Sequence, residues 1–299
     1  MQIYYPDKSK LNWGHSIWYE YLLEGFKSLG EVILSEKLCG EARHETSFSI
    51  LPIDIKVSDK VIRVWYDFSD FKEAHFEVMK TGDFYFKITC LKEYMKERKN
   101  VYPIGQTTSL MEYFSLVDKL RDARKDKKYQ YDIVAVFRVT NYNLRREIVE
   151  RIRNRKDWLS YTGLAPFRNR PGIPDSLKML KLPFERHLAL QSRSKICVSV
   201  PGVGGYFDWC WREAEILGMG GCLLCLRMET AMPGDFDSCH IAIKANLSDL
   251  EEKVDYYLKH DEEREEIAQR GLEYFEKWLT PKAMAQNILN KVKSESLLS

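Results

Sequence analysis

Residues 192–226 read SRSKICVSVPGVGGYFDWCWREAEILGMGGCLLCL. The run from Lys195 to Val200 is apolar and β-branched, which predicts a strand. The turn Pro201-Gly-Val-Gly-Gly205 follows, then a helix over about 208–219, then a second apolar strand over 222–226. Strand, glycine turn, helix, strand is the grammar of a parallel α/β sheet. The glycines let backbone amides approach a ligand, and the helix start offers free N–H groups and a positive dipole end. That pairing suits a diphosphate. Gly202, Gly204 and Gly205 do not complete G-x-G-x-x-G, because Phe207 occupies the last glycine position. Arg212 and Glu215 are three apart on one helical face. An arginine can neutralise phosphate and a carboxylate can accept from a ribose diol. The same spacing also describes a plain surface ion pair.

The pattern repeats on either side. Gln2 to Tyr5 predicts a strand. Apolar residues at 18, 21, 22, 25, 26 and 29 predict a helix, with Gly30 as C-cap, and Glu31-Val-Ile-Leu predicts the next strand. Val61–Tyr66 and Phe84–Thr89 are further strand candidates. Residues 119–130, KLRDARKDKKYQ, read as a linker or a last helical turn. Beyond it, Tyr131–Val139 predicts a strand, Leu144 to Arg153 a helix, and Trp158–Tyr161 and 240–244 two more strands. Ser248-Asp-Leu-Glu251 is a capping box, and Thr280-Pro281 an N-cap followed by proline at N1. The expected fold class is therefore α/β, with two Rossmann-like domains facing a cleft. The first spans 1–125 on the acceptor side. The second spans 126–299, carries the nucleotide and ends in a helical tail.

Composition narrows the function. The chain has 299 residues, 44% hydrophobic and 30% charged, which excludes a disordered chain. A net charge of +2 gives no drive toward nucleic acid. No apolar run approaches the ~18 residues of a membrane span. The opening MQIYYPDKSKLNWGHS lacks the apolar core of an export signal, so the expected location is the cytoplasm, with the cysteines as free thiols.

The stretch Arg212-Glu-Ala-Glu215-Ile-Leu-Gly-Met-Gly-Gly resembles the R-x-x-E-x-x-x-x-G segment of GT-B glycosyltransferases. It is closest to the spore-maturation-type and exostosin-like groups. Ser194-Lys195 upstream and the 248–258 and 261–271 stretches downstream extend the resemblance over about 131–299. The resemblance implies sugar transfer from a nucleotide-diphosphate donor to a hydroxyl on a glycan, lipid or protein. The nucleotide-sugar is then a co-substrate, and neither a metal nor another cofactor is expected. It places Glu215 at the donor ribose and Arg212 at the diphosphate or sugar. Arg138 and Thr140 follow at the donor-contacting strand end, and Gly202, Gly204 and Gly205 around the nucleotide or diphosphate. Residue 208 is Asp, so the glutamate pair of some retaining members is incomplete. The loop after the first strand is where several inverting members carry their base. His15 is the first candidate there and Asp7 the second. A non-catalytic nucleotide- or glycan-binding protein of the same fold is the alternative.

Two other motifs read as structural. Asp235-Phe-Asp237 matches a metal-holding D-x-D but sits in a polar loop. CysLeuLeuCys at 222–225 lies in a buried strand, where residues i and i+3 face opposite ways. The basic stretch 145–156 and the acidic stretch 249–266 read as solvated helix faces. The basic one is a second-choice surface for peripheral contact with an anionic membrane or an acidic glycan.

Overall fold

A computed structural model describes residues 2–7, 16–35, 44–45, 48–69, 73–139, 142–166, 172–200 and 209–296. His15, Thr140, Gly202, Gly204 and Gly205 lie outside the described residues. The chain forms two compact units. Unit 1 takes residues up to Thr107, then Glu229–Gly234 and Glu276 onward, and unit 2 takes Thr108–Met228 and Asp235–Phe275.

Unit 1 begins with β1 (Gln2–Pro6), α1 (Ser16–Lys27), β2 (Glu31–Ser35), β3 (His44–Glu45), β4 (Phe48–Val57) and β5 (Lys60–Asp67). It continues with α2 (Phe76–Met79), β6 (Phe84–Lys87), β7 (Cys90–Leu91), α3 (Lys92–Glu97) and β8 (Val101–Pro103). The sheet order is β2-β1-β4-β5-β6-β8, with β3 beside β4. β1–β2, β5–β6 and β6–β8 are parallel, while β4 runs antiparallel to β1 and β5. β5 covers the strand expected over Val61–Tyr66, whereas β4, its hairpin partner at the centre of the sheet, is absent from the sequence reading. Pro52 marks β4 as a poor central strand. It is tolerated because β1 pairs only with residues 54–56 of that side.

At the carboxyl ends of β5 and β6, Lys87 and Asp67 are both fully buried and 3.0 Å apart. Asp67 Oδ2 also accepts from the Tyr85 hydroxyl (2.5 Å), Asp67 Oδ1 from Ser69 N (2.9 Å), and Lys87 donates to Ser69 Oγ (2.9 Å). These bonds compensate two charges that would otherwise be costly to bury.

Unit 2 holds α4 (Tyr113–Lys125), β9 (Tyr131–Arg138), α5 (Tyr142–Asn154), β10 (Ser160–Ala165), α6 (Phe184–Ser192) and β11 (Ser194–Val198). Next come α7 (Trp211–Gly218) and β12 (Cys222–Leu226). The chain returns to unit 1 for β13 (Thr230–Ala231), which pairs with β7. It then forms β14 (Ile241–Ile243), α8 (Leu250–Lys259), α9 (Asp261–Trp278) and α10 (Pro281–Ser296). The unit 2 sheet is all parallel, in the order β10-β9-β11-β12-β14. Its strands are near-continuous apolar runs because helices cover both faces. Ile148, Val149 and Ile152 of α5 and Leu250 and Val254 of α8 fill one core cluster, and Ile216 and Leu217 of α7 are fully buried.

The units do not divide at 125/126. The charged 119–130 stretch is largely the end of α4, which buries Val117 and Leu120 and is anchored in unit 2 by Arg124. That guanidinium, 6% exposed, donates to the carbonyls of Gln191, Ser192 and Ser194. Nor is the helical tail wholly part of the second unit. Met284, Ala285, Ile288, Leu289 and Val292 of α10 complete the unit 1 core. Gly25 of α1 permits this approach, since a Cβ there would lie 2.0 Å from the Pro281 carbonyl oxygen. Thr280 caps α10 as expected, accepting from Ala283 N (3.2 Å). Ser248 does not cap α8. Asp249 occupies that position, and its carboxylate accepts from Lys244 N instead (2.9 Å).

Candidate functional site

In the unit 2 sheet the chain runs from β9 outward to β10, then crosses back to β11 on the other side of β9. The order reverses between β9 and β11. In open α/β sheets a ligand crevice forms beyond the carboxyl ends of the strands at such a point. Arg138 ends β9 with an exposed side chain. Arg145, in the first turn of α5 and 3% exposed, ties the two strand ends together. It donates to the carbonyls of Arg138 (2.7 Å) and Val200 (2.8 Å).

Arg212 is the second residue of α7, so it sits at a helix N-terminus. Its guanidinium lies 5.9 Å from the Phe137 ring, and that of Arg145 lies 5.3 Å from the same ring. Among the described residues, the buried Nε and Nη1 of Arg212 have no hydrogen-bond partner. Burial, and then the charge of Arg212, pull Arg145 down to about 10. His187 of α6 is partly buried. Burial, followed by the charges of Arg212 and Arg138, pulls it down to about 3. The site is therefore a cationic cluster with unspent donors. Glu213, fully buried, accepts from Cys210 N (2.8 Å) at the start of α7, and burial raises its carboxyl. An anion placed here would meet charge-assisted donors and a helix dipole together.

Glu215 lies farther along α7 and is 3% exposed. It forms no ion pair with Arg212 among the described residues. Its Oε1 accepts from Ser109 N (3.1 Å) and Ser109 Oγ (2.6 Å), while burial raises its carboxyl. Tyr113 OH donates to the Glu215 carbonyl (2.8 Å) and Arg121 Nε to that of Gly218 (2.8 Å), so α7 is fastened to α4 and the segment before it.

Asp7 follows β1 in unit 1, partly buried; burial, then the charges of Glu20 and Asp7, raise the Tyr19 hydroxyl. Asp235 and Asp237 are exposed. Among the described residues no cluster of His, Cys, Asp and Glu could hold a metal. Cys222 and Cys225 are buried in β12, and burial pushes the Cys222 thiol up to about 12. Without a bound metal, that sulfur is therefore a thiol at neutral pH.

Sequence reasoning missed Arg145, His187 and Ser109. Arg145 was absorbed into the basic 145–156 stretch. Its signal was position, because a cation in the first turn of a helix opposes the dipole and needs another reason to be there. His187 carried no signal beyond its residue type.

His187 sets a pH dependence. Its folded value lies below the unfolded value of ~6.5, so its contribution is complete above pH ~6.5. It is lost as pH falls from there toward 3. Allowing for partial exposure, the loss across that window is about 1–2 kcal/mol. Urea melts at pH 4.5 and 7 should show a smaller pH difference for His187→Asn than for the wild type. An identical difference would place the histidine outside the cationic cluster.

Residues 145–290, just under half of the chain, match the family described as glycosyl transferase-like. Two solved structures are similar to the chain. One is a glycosyltransferase from Rickettsia africae ESF-5, at 12% identity and TM-score 0.46, covering 72% of this chain and 64% of that one. The other is sucrose-phosphate synthase from Thermosynechococcus elongatus, at 14% identity and TM-score 0.48, covering 75% and 61%. The chain thus spans less than two thirds of either. No curated protein sequence matches it. Among the described residues, no helix is long and apolar enough to cross a membrane.

Proposed function

We propose that this protein transfers a sugar, of the hexosyl type, from a nucleotide-diphosphate donor to a hydroxyl acceptor on a glycan, lipid or protein. The family match over 145–290 supports glycosyl transfer in general. The observation that carries the donor class is the buried guanidinium of Arg212, with two donor atoms unpartnered among the described residues, at the sheet's reversal point. Within that class, the subgroup proposed is the spore-maturation-type or exostosin-like one, on the 212–221 segment.

On this reading the diphosphate sits against Arg212 and the amides opening α7, with Arg138 and His187 beside it. The resemblance assigns Gly202, Gly204, Gly205 and Thr140 to the same donor. Glu215 takes the ribose diol by exchanging or sharing its bond to Ser109. In the reaction, the bond between the anomeric carbon and the diphosphate oxygen breaks and its electron pair passes to the diphosphate. The acceptor oxygen bonds to the anomeric carbon, and its proton passes to a base, His15 first and Asp7 second. Charge building on the leaving diphosphate is offset by side-chain cations, with no metal in the scheme.

The test is thermal melting in EDTA with UDP, GDP, dTDP and CMP and their sugars. One nucleoside diphosphate should raise the melting temperature. At 100 times its dissociation constant the ligand adds ~2.7 kcal/mol. A shift only with free oligosaccharide would favour a non-catalytic glycan-binding protein, and a shift only with added Mn²⁺ would remove the metal-free scheme.

A further inference from the structure

Two segments of unit 2 that are far apart in sequence meet at one carboxylate. The first is 108–113, where unit 2 begins and α4 starts. The second is α7. Tyr113, fully buried, donates its hydroxyl to the Glu215 carbonyl (2.8 Å). Gly218, one turn further on, permits the approach, since a Cβ there would stand 2.5 Å from the Tyr113 oxygen. The backbone of residue 215 is thereby held against α4.

The side chain of residue 215 is held by Ser109. Ser109 N (3.1 Å) and Ser109 Oγ (2.6 Å) both donate to Glu215 Oε1. The segment carrying Ser109 is itself braced. The Leu110 carbonyl accepts from the Thr108 hydroxyl (3.2 Å) and from Tyr113 N (3.0 Å), which ties together the residues on either side of Ser109.

The two carboxylate oxygens are therefore unequal. Oε1 already holds two donors, about as many as one carboxylate oxygen accepts. Oε2 makes no hydrogen bond among the described residues. Nor is it one of the buried unpartnered side-chain atoms, so it lies in the small part of Glu215 that is exposed. Burial raises the carboxyl, whereas the Ser109 bonds and then the charge of Arg212 favour its ionised form.

We propose that Ser109 is a positioning residue. Its hydroxyl and amide lock Glu215 in the orientation that presents Oε2 to a ribose diol, and so set how strongly the protein prefers a nucleotide that carries one. Ser109 keeps Oε1 when the nucleotide is bound, and Oε2 takes the diol. A carboxylate fixed beforehand loses no rotamer freedom when its ligand arrives. The inference rests on the reading of Glu215 as the ribose acceptor, and every group in it belongs to unit 2.

The experiment is calorimetric titration of the full chain with UDP, GDP and dTDP, each against its 2′,3′-dideoxy counterpart. For the nucleotide that binds tightest, the dideoxy form should bind about tenfold or more weakly, because a hydrogen bond to a charged acceptor is lost. Glu215→Ala should bring that ratio close to one. Ser109→Ala should bring it within about threefold, and Ser109→Thr, which keeps the hydroxyl, should hold it near the wild-type value. A general loss of packing would weaken both nucleotides alike and leave the ratio unchanged. A wild-type ratio near one, a ratio retained in Glu215→Ala, or no binding of any of the three nucleotides would remove Glu215 from the ribose and the inference with it. A ratio lost in Glu215→Ala but intact in Ser109→Ala would overturn the inference alone. So would an equal loss in the Ser109→Ala and Ser109→Thr variants, since packing at residue 109 and not its hydroxyl would then be responsible.

Discussion

Arg212→Met is expected to weaken nucleoside diphosphate binding by about 3 kcal/mol, roughly 150-fold, and to leave the unliganded protein at least as stable as before. The two effects have one cause. In the unliganded site the guanidinium is held near the like charge of Arg145, with Nε and Nη1 buried and without a partner among the described residues. Replacing such a group with an apolar side chain of similar reach removes a desolvation cost. The methionine can still pack on the Phe137 face that Arg212 now covers. An incoming diphosphate, by contrast, would satisfy those donors. Calorimetric titration and urea melts of the same preparation check both halves. A variant that loses stability while retaining affinity would make Arg212 a structural residue and leave the diphosphate without its anchor.

The second large effect lies in unit 1. Asp67→Ala should cost about 3–5 kcal/mol, because it strands the fully buried Lys87 ammonium and leaves the Tyr85 hydroxyl without its acceptor. Adding Lys87→Met should recover much of that loss, since an apolar pair of similar volume no longer carries an unpaired charge. Urea melts of the single and double variants decide. A cost below about 1 kcal/mol for Asp67→Ala, or no recovery in the double variant, would mean that water reaches the cluster.

The sequence was most legible where one physical rule dominated. The strand expected over 222–226 is β12 to the residue, and the helix expected from Leu144 is α5, because uninterrupted apolar runs and helical periodicity leave few alternatives. The α/β class followed from those elements. β4 was hidden because Pro52 argues against a central strand, and only the short reach of β1 makes it acceptable. The destination of α10 was hidden as well. Its apolar face was readable, but the partner of that face is α1, about 250 residues earlier, and the signal that joins them is the missing side chain of Gly25.

For the candidate site, Arg212 and Glu215 were legible as residues but not in their surroundings. Spacing places them on one helix, whereas the Ser109 bonds to Glu215 come from a segment about 100 residues away. Arg145 and His187 are brought in by α5 and α6, and only the sheet order puts those helices beside the reversal point.

The packing of α10 on α1 also fixes an order of events during synthesis. Unit 2 has all of its residues once Phe275 has left the ribosome, while unit 1 still lacks the helix that supplies Met284, Ile288 and Val292. At 5–20 residues per second, α1 waits on the order of tens of seconds for that partner. Through that interval the side of α1 that meets α10 lacks its partner, while the rest of its apolar face can already pack with β1, β4 and β5. Of the two units, the one begun first is thus the one whose residues are complete last.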